Sequence, residues 1–311
     1  MYQVHRVTSP REELALKNCM SSAFGRGSGS ERVGFIRKYC GPEYLIIADA
    51  PDCLAASGLS AAPAPVYIDG VPVPQASIGY VATRPRYRKQ GMCAACLKEC
   101  HRLFLERDVH LSCLWPFEYF FYRKYGWEIG GSALECSAGP EAFADCEAAP
   151  LFYDSPEAPE AIPALYGRCF SRYNGPNVRN RFWWLSYPGL FSSESLRGAY
   201  ITDAAGAPAA GCIYVFRDKG EEKFLDIPEL YYPRRQDAEL LLGALRKEYP
   251  GARFELKLPP DTDLFDNMPN PRLTRRTVIA GHMLRVHDPR KALTFLKPRN
   301  SGVLSFCISD P

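Results

Sequence analysis

Four cations fall within six residues, Arg84, Arg86, Arg88 and Lys89, and Gly91 follows two positions after the last. The run before them, SIGYVAT over 77–83, reads as a strand that Pro85 stops, because proline has no N–H to give a sheet ladder. After Gly91, the residues Cys93, Cys96, Leu97, Cys100, Leu103 and Phe104 recur with helical spacing. That helix starts without a Ser, Thr, Asp or Asn to cap it, so its first amide hydrogens lack an acceptor. An anion at a helix N-terminus with cations beside it supplies one, and glycine lets the backbone come close to it. A pyrophosphate fits this description. The competing phosphate loops fit poorly: no GxxxxGK(S/T) is present and no GxGxxG follows a strand. These features alone leave open an ordinary strand–turn–helix with a solvated basic loop.

The elements around this turn can be read from periodicity and punctuation. A helix is expected over 12–23, with Leu14, Leu16, Cys19 and Met20 near one face, followed by a flexible connection at GRGSGS (25–30). Strands are expected at 44–49, 53–58 and 66–73, the last folded at the turn signal Asp69-Gly70. The helix after Gly91 runs to about 107, a short strand covers 109–114, and an aromatic helix covers 118–125 and ends at Gly126. An acidic, Ala/Pro-rich stretch at 137–162 reads as a linker. Beyond it come a helix at 160–171, the aromatic RNRFWWL, strands at 198–203 and 211–217, the segment EKFLDIPELYY, a helix at 236–248 and the strand ARFELKL. Helix, strands, helix, strand occur in this order in both halves, a weak repeat of plan that predicts two α/β domains. The expected limits are 1–145, 146–281 and a short remainder, 282–311, with strand MLRVH, helix PRKALTFL and strand VLSFCI.

Composition excludes some classes. The chain has 311 residues, 46% hydrophobic and 23% charged, with a net charge of +3 from 38 basic and 35 acidic residues. So small an excess argues against a nucleic-acid binder, and no apolar run is long enough for a membrane span. The twelve cysteines are scattered among core-type residues rather than set out as a disulfide framework. That usage, with no apolar signal core at the N-terminus, points to the reducing cytoplasm.

The pattern VATRPxxRxxGxC over 81–93 resembles motif A of the GNAT acetyltransferase superfamily, whose core is R/Q-x-x-G-x-G/A; Cys93 at the third small position is a departure. LSCLWPFEYFFYRKYGWE over 111–128 resembles the later GNAT segment that closes the acceptor side. RNRFWWL, FLDIPELYY, FELKLPPDTDLF and GHMLRVHDPRKAL follow in an order that resembles the enhanced-intracellular-survival (Eis) family. The resemblance covers nearly the whole chain. It implies an α/β (α+β) fold of two tandem GNAT-like mixed-sheet domains and the beginning of a sterol-carrier-like domain. It also implies a cytoplasmic, homohexameric enzyme that uses acetyl-CoA and no metal.

On this resemblance, backbone groups of Val81, Ala82 and Thr83 hold the pantetheine arm. Arg88, Lys89, Gln90, Gly91, Met92, Cys93 and Ala94 surround the pyrophosphate, and Phe117 and Glu118 lie near the thioester. The implied reaction is direct attack of a primary amine (of an aminoglycoside, a polyamine or a lysine) through a tetrahedral intermediate, with Tyr122 as general acid and Tyr125 its local rival. The family's base is its own terminal carboxylate. Because SGVLSFCISDP is where the third domain would barely have begun, Pro311 is not expected to inherit that role and the native chain is expected to run on. The second domain has no such motif: RRQDAELLLGAL puts Asp237 and Glu239 where an anion would sit, so no CoA is expected there.

Other signals carry less. Cys93, Cys96, Cys100 and His101 suggest metal ligands, but the cysteines share the core-facing stripe. GRGSGS is a weak dinucleotide signal because it follows a helix. Trp183 and Trp184 read as packing residues, and His5, His282 and His287 have no recognisable partner. The other functional readings are a non-catalytic CoA-sensing module and an aminoacyl-tRNA-dependent peptidyl transferase; the intact turn argues against the latter.

Overall fold

The computed structural model describes residues 1–25, 27–154, 159–179, 184, 196–220, 222–266, 270–297, 300–303, 305 and 307–308. The chain divides into two compact units, Met1–Gly130 with His282–Pro311, and Gly131–Gly281. Asn180 to Trp183 of the aromatic segment and the terminal 309–311 lie outside the described residues, and the strand expected at VLSFCI lies partly outside them.

The first unit opens with β1 (Gln3–Arg6) and α1 (Pro10–Phe24). Helix α1 starts at a capping box in which the Ser9 side chain accepts from Glu12 N–H and the Glu12 carboxylate accepts from Ser9 N–H. The stretch 25–30, expected as a flexible connection, instead runs into a second helix, α2 (Ser28–Tyr39). One of its glycines serves packing. A Cβ at Gly29 would collide with the Lys17 backbone of α1. The buried face of α2 carries Gly29, Arg32, Val33 and Ile36 at helical spacing.

Strands β2 (Leu45–Ala50), β3 (Cys53–Pro63), β4 (Val66–Ile68), β5 (Val71–Val73) and β6 (Gln75–Thr83) follow. The Asp69-Gly70 turn joins β4 to β5 with both residues at positive φ, as the sequence predicts. Then come α3 (Met92–Glu106), β7 (Leu111–Leu114), α4 (Tyr119–Arg123) and β8 (Glu128–Ile129). The sheet order is β1-β2-β3-β6-β7-β16-β8, where β16 is Met283–Val286. Thus the segment expected to open a third domain adds a strand to the first sheet. Met283 faces Leu114 and Ile129 in register and is completely buried. The first boundary also falls earlier than expected, because β9 (Ser132–Ala138) pairs with strands of the second unit.

The second unit continues with β10 (Leu151–Asp154), α5 (Ala161–Phe170), β11 (Arg197–Thr202), β12 (Pro208–Asp218), β13 (Lys223–Tyr231), α6 (Arg235–Glu248), β14 (Arg253–Leu258) and β15 (Thr274–Ala280). Its sheet runs β10-β11-β12-β13-β14-β9-β15. A short α7 (Pro289–Leu293) follows β16 in the first unit. Each sheet is mixed and has one parallel pair bridged by a helix, β6–α3–β7 in one and β13–α6–β14 in the other. Two α/β bodies of the same plan result, consistent with tandem GNAT-like domains. Among the described residues no helix is long and apolar enough to cross a membrane.

Candidate active site

Strands β6 and β7 pair in parallel only from Gln75↔Leu111 to Ile78↔Leu114, yet β6 continues to Thr83. Strand β7 ends at Leu114, so from Gly79 on that edge of β6 has no paired strand. In the same stretch the register of β6 against β3 slips between Gly58 and Ser60, and Tyr80 takes a left-handed φ of 55° in the bulge. Beyond it, Arg84 N–H donates to Ala56 O and Ala82 O accepts from the Ser57 hydroxyl, so these residues turn their amide groups toward β3. By the alternation of a strand, Val81 and Thr83 aim theirs at the opposite edge. Of the three residues expected along the pantetheine arm, Val81 and Thr83 offer backbone groups at the parted edge, and Ala82 faces β3.

The turn follows at once. Gly91 is the N-cap of α3 in the left-handed region, φ 83°, with no side chain bonded to the first turn. The amides of Met92, Cys93 and Ala94 therefore point out of the helix without a partner from its own ladder. The four cations separate into two pairs. Arg84 turns inward to Ala55 O and Ala15 O, and Arg86 pairs with Asp52 at 3.0 Å. Arg88, which donates to Thr83 O at 3.3 Å, and Lys89, at a left-handed φ of 61°, stay with the turn. The Gln90 amide donates to Arg86 O and braces the loop. A Cβ on Gly91 would approach the Tyr2 hydroxyl to 3.2 Å, a neighbour that nothing in the sequence suggests.

Helix α3 buries Met92, Cys96, Leu97, Cys100, Leu103 and Phe104, while Cys93 is half-buried. Met92 thus joins the core through its side chain, and its part in the turn is its amide. Burial pushes the Cys93 thiol up to about 11 and the Cys96 and Cys100 thiols higher still. Thiols so far from ionising are poor nucleophiles at neutral pH. His101 turns to His287 instead.

Across the fork, Glu118 caps α4 by accepting from Phe120 N–H at 3.1 Å. Tyr122 on that helix is 2% exposed, edge-on to Phe117 and Phe121 at ring distances of 5.5 and 5.1 Å. Burial first, then the nearby Cys93 thiol, raise its phenol well above the ordinary range, and Tyr125 is raised by the same two causes. The interaction with Cys93 brings Tyr122 to the start of α3. Among the described residues no hydrogen bond occupies its hydroxyl. Phe117, 72% exposed, is the outer wall of this aromatic group.

Two further features at the fork escaped the sequence reading. Phe24, at the end of α1, stacks 4.9 Å from Tyr80, and the buried Arg32 of α2 lies 5.6 Å from the same ring. The signal for Arg32 was a charge inside the apolar face of SERVGFIRKY, in a stretch read as following a flexible connection.

In the second unit β13 and β14 part in the same way after Ile227↔Leu256, with a register slip between Ile213 and Val215. Here the parted edge carries Glu229, which pairs with Arg179 and accepts from Tyr231. The helix start carries Asp237, held by Arg234 through two bonds of 2.8 Å. At the second fork, therefore, both the strand edge and the helix start carry a carboxylate paired with its own cation. The nearby cavity of about 400 Å³ is lined by Arg168, Asp203, Arg234 and Asp237 among others. Trp184 packs edge-on against Tyr166 and beside Arg179 of the Arg179–Glu229 pair, a core position as expected.

Residues 5–130 match the family model described as an acetyltransferase (GNAT) domain. Over the whole chain the fold is similar to a GCN5-related N-acetyltransferase from Anabaena variabilis, with 20% identity, TM-score 0.81, and 95% of this chain and 75% of that one covered. A conserved protein of unknown function from Enterococcus faecalis, described as a probable N-acyltransferase, aligns with 25% identity and TM-score 0.78 over 94% of this chain and 74% of its own. Eis1 from Mycobacterium abscessus aligns with 18% identity and TM-score 0.75 over 95% and 76%. No curated protein sequence matches the chain. The parted strands, the left-handed glycine and the uncapped helix all lie within residues 5–130, the stretch that matches the acetyltransferase (GNAT) domain model.

Proposed function

We propose that the first unit transfers an acetyl group from acetyl-CoA to a primary amine. The observation that carries this reading is the parted edge of β6 ending in the uncapped, glycine-started helix α3. The edge groups of Val81 and Thr83 suit the amides of a pantetheine arm. The amides of Gly91 to Ala94, with Arg88 and Lys89, suit its pyrophosphate. Bound there, acetyl-CoA would supply an activated thioester: the amine would add to its carbonyl and give up a proton to bulk water, and the C–S bond would then break with the leaving sulfur taking one. Tyr122 is the proton donor on this reading. Its phenol stays protonated at neutral pH, and its hydroxyl is not held by another described residue. Glu118, by capping α4, positions the helix that carries Tyr122. The paired carboxylates at the second fork support a non-binding role for that unit.

Incubation of the protein with acetyl-CoA and a panel of aminoglycosides, polyamines, amino acids and lysine peptides, followed by thiol release, tests the reading. Release that depends on an amine is expected. Binding of CoA with no turnover on any amine would replace it with a CoA-sensing module.

A further inference from the structure

Arg32 is only 7% exposed, and among the described residues no carboxylate pairs with it. Its Nε donates to Ser60 Oγ at 2.9 Å, and Ser60 donates onward to Gly79 O at 3.0 Å. The guanidinium lies against the rings of Phe35 and Tyr80, with its carbon 5.8 and 5.6 Å from their centres. Gly79 of β6 lies beside the cation: a Cβ there would sit in van der Waals contact with Nη2 at 3.5 Å. Gly79 and Tyr80 directly follow Ile78, the last residue of β6 paired with β7. Burial, the largest influence, disfavours its charge, and among the described residues the nearby Tyr80 and Cys40 favour it.

Arginine does not escape this cost by losing its proton. A buried cation without an anion is expensive, and each donor left without an acceptor adds to the expense. Ser60 satisfies one of five N–H donors. Ring faces soften the charge but do not accept the fork of a guanidinium, whose best partner is a planar carboxylate.

We propose that Arg32 docks the carboxylate of the acceptor, so that the amine acetylated by this protein belongs to a free amino acid. The proposal rests on the acyl-transfer reading above and narrows it. With its carboxylate on Arg32, an amino acid would present its amine toward the fork at Tyr80, next to the Val81 edge that the acyl-transfer reading gives to the pantetheine arm. Phe24, Phe35 and Tyr80 would line its side chain, which favours apolar and aromatic amino acids. Polyamines and aminoglycosides would bring further cations toward a buried guanidinium and are disfavoured by like-charge repulsion.

The test compares amino acids with their decarboxylated partners, L-phenylalanine with phenethylamine and L-leucine with isoamylamine. Thermal stabilisation of the CoA-saturated protein and KM from thiol release are the two readouts. The amino acids are expected to stabilise the wild-type protein and to show KM values at least about 10-fold below those of their partners. In Arg32→Met the amino-acid KM should rise by roughly 10–100-fold and the gap within each pair should close, with Arg32→Lys in between. Equal stabilisation and equal KM within the pairs in wild-type protein would overturn the proposal, even with turnover established and even were Arg32→Met not to fold. If CoA itself neither stabilises the protein nor delivers its acetyl group to any amine, the acyl-transfer reading fails first and this proposal with it.

Discussion

The imidazoles of His287 and His101 meet through their Nδ1 atoms at 2.8 Å, and the Nε2 of His287 lies 2.7 Å from Ser112 Oγ. Trp127 Nε1–H donates to the same Ser112 oxygen at 3.2 Å. Two arrangements of a neutral His287 satisfy this chain: Ser112 donates to its Nε2 while its Nδ1–H donates to His101, or its Nε2–H donates to Ser112 while His101 donates to its Nδ1. His287, in the segment after β16, is thereby pinned to β7 and α3.

Stability should accordingly depend on acid pH. Burial, then the neighbouring His101, Arg285 and His110, lower His287 to about 3 from an ordinary value of 6.5. A group whose folded value is depressed binds more protons when unfolded, so its contribution is fully present above pH 6.5. It is lost as pH falls toward 3, at up to about 1.4 kcal/mol per pH unit. Chemical denaturation of the first unit at a series of pH values should show this slope, and His287→Gln should flatten it. An unchanged slope in the variant would assign the acid sensitivity to other groups.

The turn at 84–94 is legible in the sequence because its signals are local: a proline that ends a strand, cations, a glycine and a helix without a cap. The apolar stripe of α3 and the Asp69-Gly70 hairpin are legible for the same reason. What stays hidden depends on distant partners. Arg84 and Arg86 look like part of the anion site until Ala15, Ala55 and Asp52 claim them. Gly27 and Gly29 look like a linker because the α1 backbone that requires a small residue at Gly29 is far from evident. Strand β16 reads as the start of something new because its partners, β7 and β8, lie more than 150 residues earlier in the chain.

That last placement has a direct consequence. Met283 is fully buried in the first core, so Met283→Ala should destabilise the first unit by about 2–5 kcal/mol, the usual cost of emptying such a site. The denaturation transition that responds to CoA is the one to follow. A loss below about 0.5 kcal/mol would mean that β16 does not complete that core.

Gly91 tests the turn. Saturating CoA at a hundred times its Kd should stabilise the protein by about 2.7 kcal/mol, since only the folded site binds it. Gly91→Glu puts a side chain on a left-handed residue, next to Tyr2, and a negative charge among the first-turn amides. It should abolish the CoA-induced rise in Tm. Arg88→Ala should reduce the rise without abolishing it, because Lys89 and the amides remain. Full stabilisation of Gly91→Glu would move the nucleotide elsewhere.

Tyr122 separates chemistry from packing. Its ring is held by Phe117 and Phe121, contacts that phenylalanine would keep, and among the described residues its hydroxyl has no partner to lose. Tyr122→Phe should therefore leave Tm and CoA stabilisation nearly unchanged. If the phenol delivers the proton to the leaving sulfur, turnover should fall by roughly 10²–10⁴-fold. The pH profile adds a second readout. Burial and the Cys93 thiol raise the phenol above its ordinary 10, so the donor stays protonated throughout the neutral range and activity should show no alkaline limb from it below that pH. Tyr125 is also raised by burial and by Cys93, and its substitution by phenylalanine controls for the general loss of a nearby hydroxyl. Tyr125→Phe is expected to stay within a few-fold of wild type. A large loss in Tyr125→Phe with full turnover in Tyr122→Phe would transfer the role from one tyrosine to the other; full turnover in both would take the proton from neither.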